Sequence, residues 1–215
     1  MRFRDRRDAG EQLAAEVGAM HLGAAVVAAI PRGGVIVGDA IARAHGWALD
    51  LVVPRKLRAP GNPELAFGAV TGDGTIYLDV GLTRMLRVDD AYLRAEITTQ
   101  IAEIRRREAA YRGGRPPADV RGRTAILVDD GLATGATAIA ALRMLRHQLA
   151  REVLVAVPVG PPDALRRIER EADRVVCVLQ PVEFSAVGQF YEDFSQTTDD
   201  EVVACLARTW GQKVS

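Results

Sequence analysis

A chain of 215 residues with 48% hydrophobic content can bury one sizeable core, and a single domain over 1–215 is expected. Its 28 basic and 28 acidic residues cancel to a formal net charge of zero, which removes the simplest electrostatic case for a nucleic-acid partner. Cys177 and Cys205 lie far apart in no metal spacing, and no apolar run approaches the roughly 20 residues that cross a bilayer, so a disulfide framework, a zinc site and a membrane span are set aside. The opening MRFRDRRDAG is charged and lacks the apolar core of a signal peptide, which makes a soluble cytoplasmic protein the expectation.

In chain order, residues 8–17 set Ala9, Leu13 and Val17 on one helical face before Gly18. The run 24–30 is apolar throughout, as a parallel strand buried on both faces should be, and 49–54, 124–128, 152–159 and 173–179 repeat the pattern. Helices are expected at 35–45, stopped by Gly46, and at 89–111, 136–149, 162–171 and 199–209. Strands alternating with helices predict an α/β fold: a doubly wound, mainly parallel central sheet flanked by helices, with its core at about 20–180.

Two segments break the rhythm. Residues 55–78 carry two prolines and several glycines and end in an expected hairpin around Gly72–Gly74, while 112–122 reads as a linker back to the sheet. The arginines 105–107 near the end of the long helix complement its dipole and are read as solvated. His21, His45 and His147 are scattered without partners and are read as structural or exposed, so no Ser–His–Asp or Cys–His set is assembled.

The stretch ILVDDGLATGAT, 126–137, carries the chemistry. It runs an apolar strand into two adjacent acids and then a loop of small residues and hydroxyls, at the carboxyl end of a strand where doubly wound sheets bind ligands. Gly131, Ala133, Gly135 and Ala136 let the backbone approach an anion, and Thr134 and Thr137 add hydroxyl donors at a helix start. The acids need another partner, for which sugar hydroxyls and a divalent cation qualify; simple capping chemistry is the competing account. A phosphate at one end and a diol at the other describe a ribose 5-phosphate. Upstream, AAIPRGGV (28–35) is another strand end followed by a glycine pair, alone either a tight turn or an anion loop.

ILVDDGLATGAT resembles the phosphoribosyl diphosphate (PRPP) signature of the type I phosphoribosyltransferases. The resemblance covers about 20–195 and implies that Asp129 and Asp130 contact the ribose hydroxyls and serve Mg2+ through PRPP and water, while Ala133, Thr134, Gly135, Ala136 and Thr137 cradle the 5′-phosphate. Gly131 departs from the bulky apolar residue common in the family, and Ala133 from a frequent threonine; both changes keep the loop compact. PRGG then matches the family's diphosphate loop, where a strained or cis peptide is common, giving Arg32, Gly33 and Gly34 to the diphosphate. Arg55 and Lys56 stand where relatives carry basic residues for the same group, and about 57–75 matches their flexible loop.

A hood is expected at about 180–215 together with the N-terminal segment, with Phe184, Val187 and Tyr191 lining a base pocket and Glu183 or Asp193 reading an edge; the same aromatics serve equally as core. The implied activity is Mg2+-dependent phosphoribosyl transfer from PRPP to a nitrogenous, purine-like acceptor, in the manner of purine salvage, with Asp129, Asp130, Arg55 and Lys56 as the catalytic set. The expected partners are PRPP and a nucleobase-like small molecule, with neither nucleic acid nor membrane, and a homodimer is compatible. A non-catalytic PRPP sensor is the alternative; phosphotransfer through an aspartate nucleophile, which usually wants Asp-x-Asp, fits the adjacent acids less well. Asp130→Asn is expected to harm turnover more than folding.

Overall fold

Each apolar run pairs edge to edge with another. The computed structural model describes residues 2–211 and shows β1 (Ala25–Ala29), β2 (Ala48–Leu51), β6 (Thr124–Val128), β7 (Glu152–Val159) and β8 (Arg174–Leu179) in one parallel sheet of order β2-β1-β6-β7-β8. Alternate residues of β1, β6 and β7 face opposite sides. Val27, Ile126 and Leu154 pack on one face under α1 (Arg6–Gly18), α2 (Gly33–His45) and α7 (Asp199–Gly211). Val26, Leu127 and Val155 pack on the other under α5 (Ala136–His147) and α6 (Pro162–Glu169). Burying an aliphatic side chain this fully is worth about 1.5–3 kcal/mol, which explains why these strands show no polar alternation.

The segment 55–78 folds as a three-stranded antiparallel meander rather than an open loop: β3 (Arg55–Ala59), β4 (Asn62–Val70) and β5 (Ile76–Leu78). Its turns sit at Gly61 and at 71–75, the second being the hairpin expected around Gly72–Gly74. α3 (Val80–Met85), capped by the Asp79 carboxylate accepting from the Leu82 amide, was not expected; it leads into α4 (Asp90–Arg112). The 112–122 segment is also more than a linker. The buried Arg112 guanidinium donates to Asp50 at 3.1 Å and to the Leu51 carbonyl at 2.7 Å, and the Ala118 amide donates to Asp50 at 2.6 Å, so this return path is pinned to β2.

The N-terminal residues pair with the chain after β8. The Phe3 amide donates to the Phe190 carbonyl at 2.8 Å and the Glu192 amide donates back to Phe3 at 2.8 Å, while the Phe3 ring lies 5.3 Å from that of Tyr191. The last four residues of the expected hood, 212–215, lie outside the described residues.

Candidate active site

Sheet order reverses between β1 and β6: β2 lies to one side of β1, and β7 and β8 lie beyond β6. That reversal is the switch point at which open α/β sheets leave a crevice at their carboxyl edge. Both motifs emerge there, PRGG after β1 and DDGLATGAT after β6. The Ile30 amide, donating to the Val128 carbonyl at 2.8 Å, carries the β1–β6 pairing up to the loops.

The two loops interlock. A β-carbon at Gly33 would overlap Oδ2 of Asp130, and one at Gly34 would stand 2.9 Å from the Asp129 Cα and from the Val128 carbonyl oxygen. Only glycines allow the PRGG backbone to lie on the acid pair. The Pro31–Arg32 peptide bond is cis, as the resemblance led one to expect.

Beyond the acids, the Leu132 amide ties the loop to the Val159 carbonyl at 2.8 Å. Gly135, at φ 79°, turns the chain into α5 with no side chain capping the first amides, and Ala133 and Thr134 are exposed. Among the described residues the Thr134 and Thr137 hydroxyls bond to no protein group. An uncapped helix start beside two unengaged hydroxyls is a cradle suited to a phosphate. The unusual Gly131 also has a cause: a β-carbon there would lie 2.5 Å from Cγ1 of Val187. The hood, through Val187, occupies the space a side chain at this position would need.

The acid pair is strongly perturbed. Burial, and then the neighbouring Asp130 carboxylate, push the Asp129 carboxyl well above the ordinary range, against the pull of Arg6. Arg6 is the neighbour of the acid pair that the sequence reading did not single out. Its Nε donates to Oδ2 of Asp130 at 2.8 Å, its Nη1 donates to the Ser195 carbonyl at 2.7 Å, and its guanidinium lies 3.9 Å over the Phe194 ring. Separated from Asp130 by 124 positions, it left no local signal beyond a charged N-terminus.

The other expected residues divide. Arg32 faces Asp199 at 3.7 Å. Arg55 is half-buried, donates to Gln100 on α4 at 3.0 Å and has its pKa lowered by burial and by Arg107, whereas Lys56 is exposed. In the hood, Tyr191 is only 4% exposed and its hydroxyl donates to the Asp130 carbonyl at 2.6 Å. Tyr191 and Val187 thus brace the acid loop from behind instead of lining an open pocket. Phe184 stacks on Phe190 at 5.6 Å. The histidines are accounted for: His45 bonds Ala14 and stacks on Trp47, His147 bonds Thr75, and His21 is exposed. Arg106 and Arg107 clamp Glu103, holding its pKa down at about 2.

The chain is similar to known proteins. The family model described as phosphoribosyl transferase domain matches residues 8–194. A Mycobacterium tuberculosis protein provisionally named a phosphoribosyl transferase, Rv0571c, is 46% identical over 206 residues, which is 96% of this chain and 46% of the relative. The chain therefore spans about half the length of the curated relatives it matches. The crystal structure of TT1426 from Thermus thermophilus superimposes with a TM-score of 0.84 at 46% identity, covering 97% of this chain and 99% of that one. A Neisseria gonorrhoeae protein solved with bound ppGpp reaches a TM-score of 0.50 at 12% identity, over 97% and 98% of the two chains, and shows the shared fold alone. By the span of the family match and the identity to these relatives, the chain belongs to the phosphoribosyl transferase domain family.

Proposed function

We propose that this domain transfers the 5-phosphoribosyl group of PRPP to a nitrogenous acceptor, with a purine-like base as the favoured class. The observation that carries the reading is the interlock of the two loops, which sets an amide-lined anion cradle, an acid pair and a second glycine loop around one crevice. In the reaction the acceptor nitrogen bonds to C1, the C1–oxygen bond breaks, diphosphate leaves with the electron pair, and the acceptor nitrogen gives up its proton. Positive charge grows on the ribose beside Asp129 and Asp130 while negative charge grows on the leaving group beside Arg32 and the amides of Gly33 and Gly34.

Among the described residues no three His, Cys, Asp or Glu side chains converge to hold a metal. The adjacent carboxylates suit instead a hard cation that arrives with the substrate, held through PRPP oxygens and water. Mg2+ so bound would neutralise the departing diphosphate.

One observation favours the second reading, a PRPP-binding protein without turnover: Arg55 is engaged by Gln100 on α4, so one of the two expected loop cations is not free for the diphosphate. Incubation with PRPP, Mg2+ and a panel of nucleobases, following diphosphate release, separates the two. Acceptor-dependent release supports the transferase, and saturable binding without release supports the sensor.

A further inference from the structure

Arg6 places a cation on the acid pair, where the resemblance assigns only sugar hydroxyls and metal. Its side chain is 12% exposed and that of Asp130 is 19% exposed, so this is an enclosed contact and not a surface pair. Three independent holds fix the guanidinium: Oδ2 of Asp130, the Ser195 carbonyl and the Phe194 face. A β-carbon at Gly33 would come within 2.5 Å of Arg6 Nε, so the same side chain also rests on the diphosphate loop. One residue from the start of the chain thus touches the acid pair, the glycine loop and the hood.

Such an arginine is either a plug that the ligand must expel or a fixed part of the site. Burial and charge decide. Expelling it would strand an enclosed carboxylate, which is costly. An acid pair with no cation beside it would repel the incoming diphosphate, and that repulsion is strong in an enclosed site. The geometry points to Arg6 as a positioning residue of the ribose end, resting on the reading of the crevice as a PRPP site. It holds Asp130 through Oδ2 and offsets negative charge at the acid pair that PRPP meets.

The test compares two ligands that share the diphosphate loop but differ in the ribose. Calorimetry with Mg2+ measures PRPP and inorganic diphosphate binding to the wild-type chain, Arg6→Ala, Arg6→Lys and Phe194→Leu. Arg6→Ala is expected to lose about tenfold or more in PRPP affinity, the scale of one charge-assisted hydrogen bond, while diphosphate affinity stays within about twofold. Arg6→Lys should recover part of the loss, because an ammonium still neutralises Asp130 without the fork to Ser195. If Arg6→Ala does not fold, Phe194→Leu carries the test, with a smaller selective loss of PRPP affinity. Unchanged or tighter PRPP binding by Arg6→Ala would overturn the inference and make the residue a plug, and equal loss of both ligands would make it a structural prop. Failure of the wild-type chain to bind PRPP is a separate outcome, which removes the crevice reading and this inference together.

Discussion

The two charged ends of the crevice are built differently. At the acid end, Arg6 and Asp130 meet at 2.8 Å with side chains 12% and 19% exposed; at the glycine-loop end, Arg32 and Asp199 face each other at 3.7 Å with side chains 31% and 69% exposed. An enclosed, short, multiply held pair resists exchange, whereas a long pair in water is worth little and gives way to a better anion. The acid end, proposed to take the ribose, is therefore held by its own contacts, and the glycine-loop end, proposed to take the diphosphate, stays exchangeable. Asp199 also accepts from the Tyr111 hydroxyl at 2.8 Å, so it keeps a partner when Arg32 turns away.

The largest expected effect breaks the comparison by joining the ends. Gly33→Ala drives a methyl into Oδ2 of Asp130, and the carboxylate can rotate away only by releasing Arg6. A loss of about 1–3 kcal/mol in stability is expected, with PRPP and diphosphate binding both abolished. Thermal melting and calorimetry check this; a variant that melts and binds as wild type would show that the loops do not interlock.

Asp130→Asn comes next: it is expected to harm turnover more than folding, and its pair with Arg6 adds a folding cost. The amide cannot balance the Arg6 charge, so about 1–2 kcal/mol of stability should go along with PRPP affinity, a fall of a few degrees in Tm. An unchanged Tm would mean that the acid end is as loosely held as the other.

Asp129 gives the pH dependence. Its folded pKa is raised, so its burial costs nothing while it is protonated, below the ordinary carboxylate pKa of about 4. Its contribution to stability falls as pH rises from there through the raised folded value and then levels off. Asp129→Asn should flatten that part of the stability profile, measured by denaturation across acidic to neutral pH without ligand; a profile unchanged by the substitution would place the perturbed charge elsewhere.

Asp199→Asn should do least. A change under about 1 kcal/mol in stability and a gain of no more than about threefold in diphosphate affinity are expected. A large loss of either would show that the exposed pair matters as much as the enclosed one.

These differences also explain what was legible in the sequence. The inner strands β1 and β7 were readable because burial on both faces disfavours polar residues, and β6 was matched from Thr124 to Val128. The meander was not: β3 reads Arg-Lys-Leu-Arg-Ala, with its exposed positions charged and its register shifted at Leu57/Arg58 and Arg58/Ala59, and β4 carries Pro63 in its second position. The site's own loops were legible because the chemistry of an anion cradle is local in sequence. The groups that tune it were not, since Arg6, Asp199, Val187 and Tyr191 reach it from the two ends of the chain. Phe3, an apolar residue among charges, was the one local hint that the N-terminus packs, and it is fully buried against Tyr191.

The central claim is that one crevice holds phosphate, ribose and diphosphate together. Titration of PRPP with Mg2+ into the wild-type chain, followed by calorimetry, tests it most directly. The account predicts saturable heat at one site per chain, with ribose 5-phosphate and inorganic diphosphate each competing for that site. Absence of heat, or binding that neither fragment displaces, would contradict it.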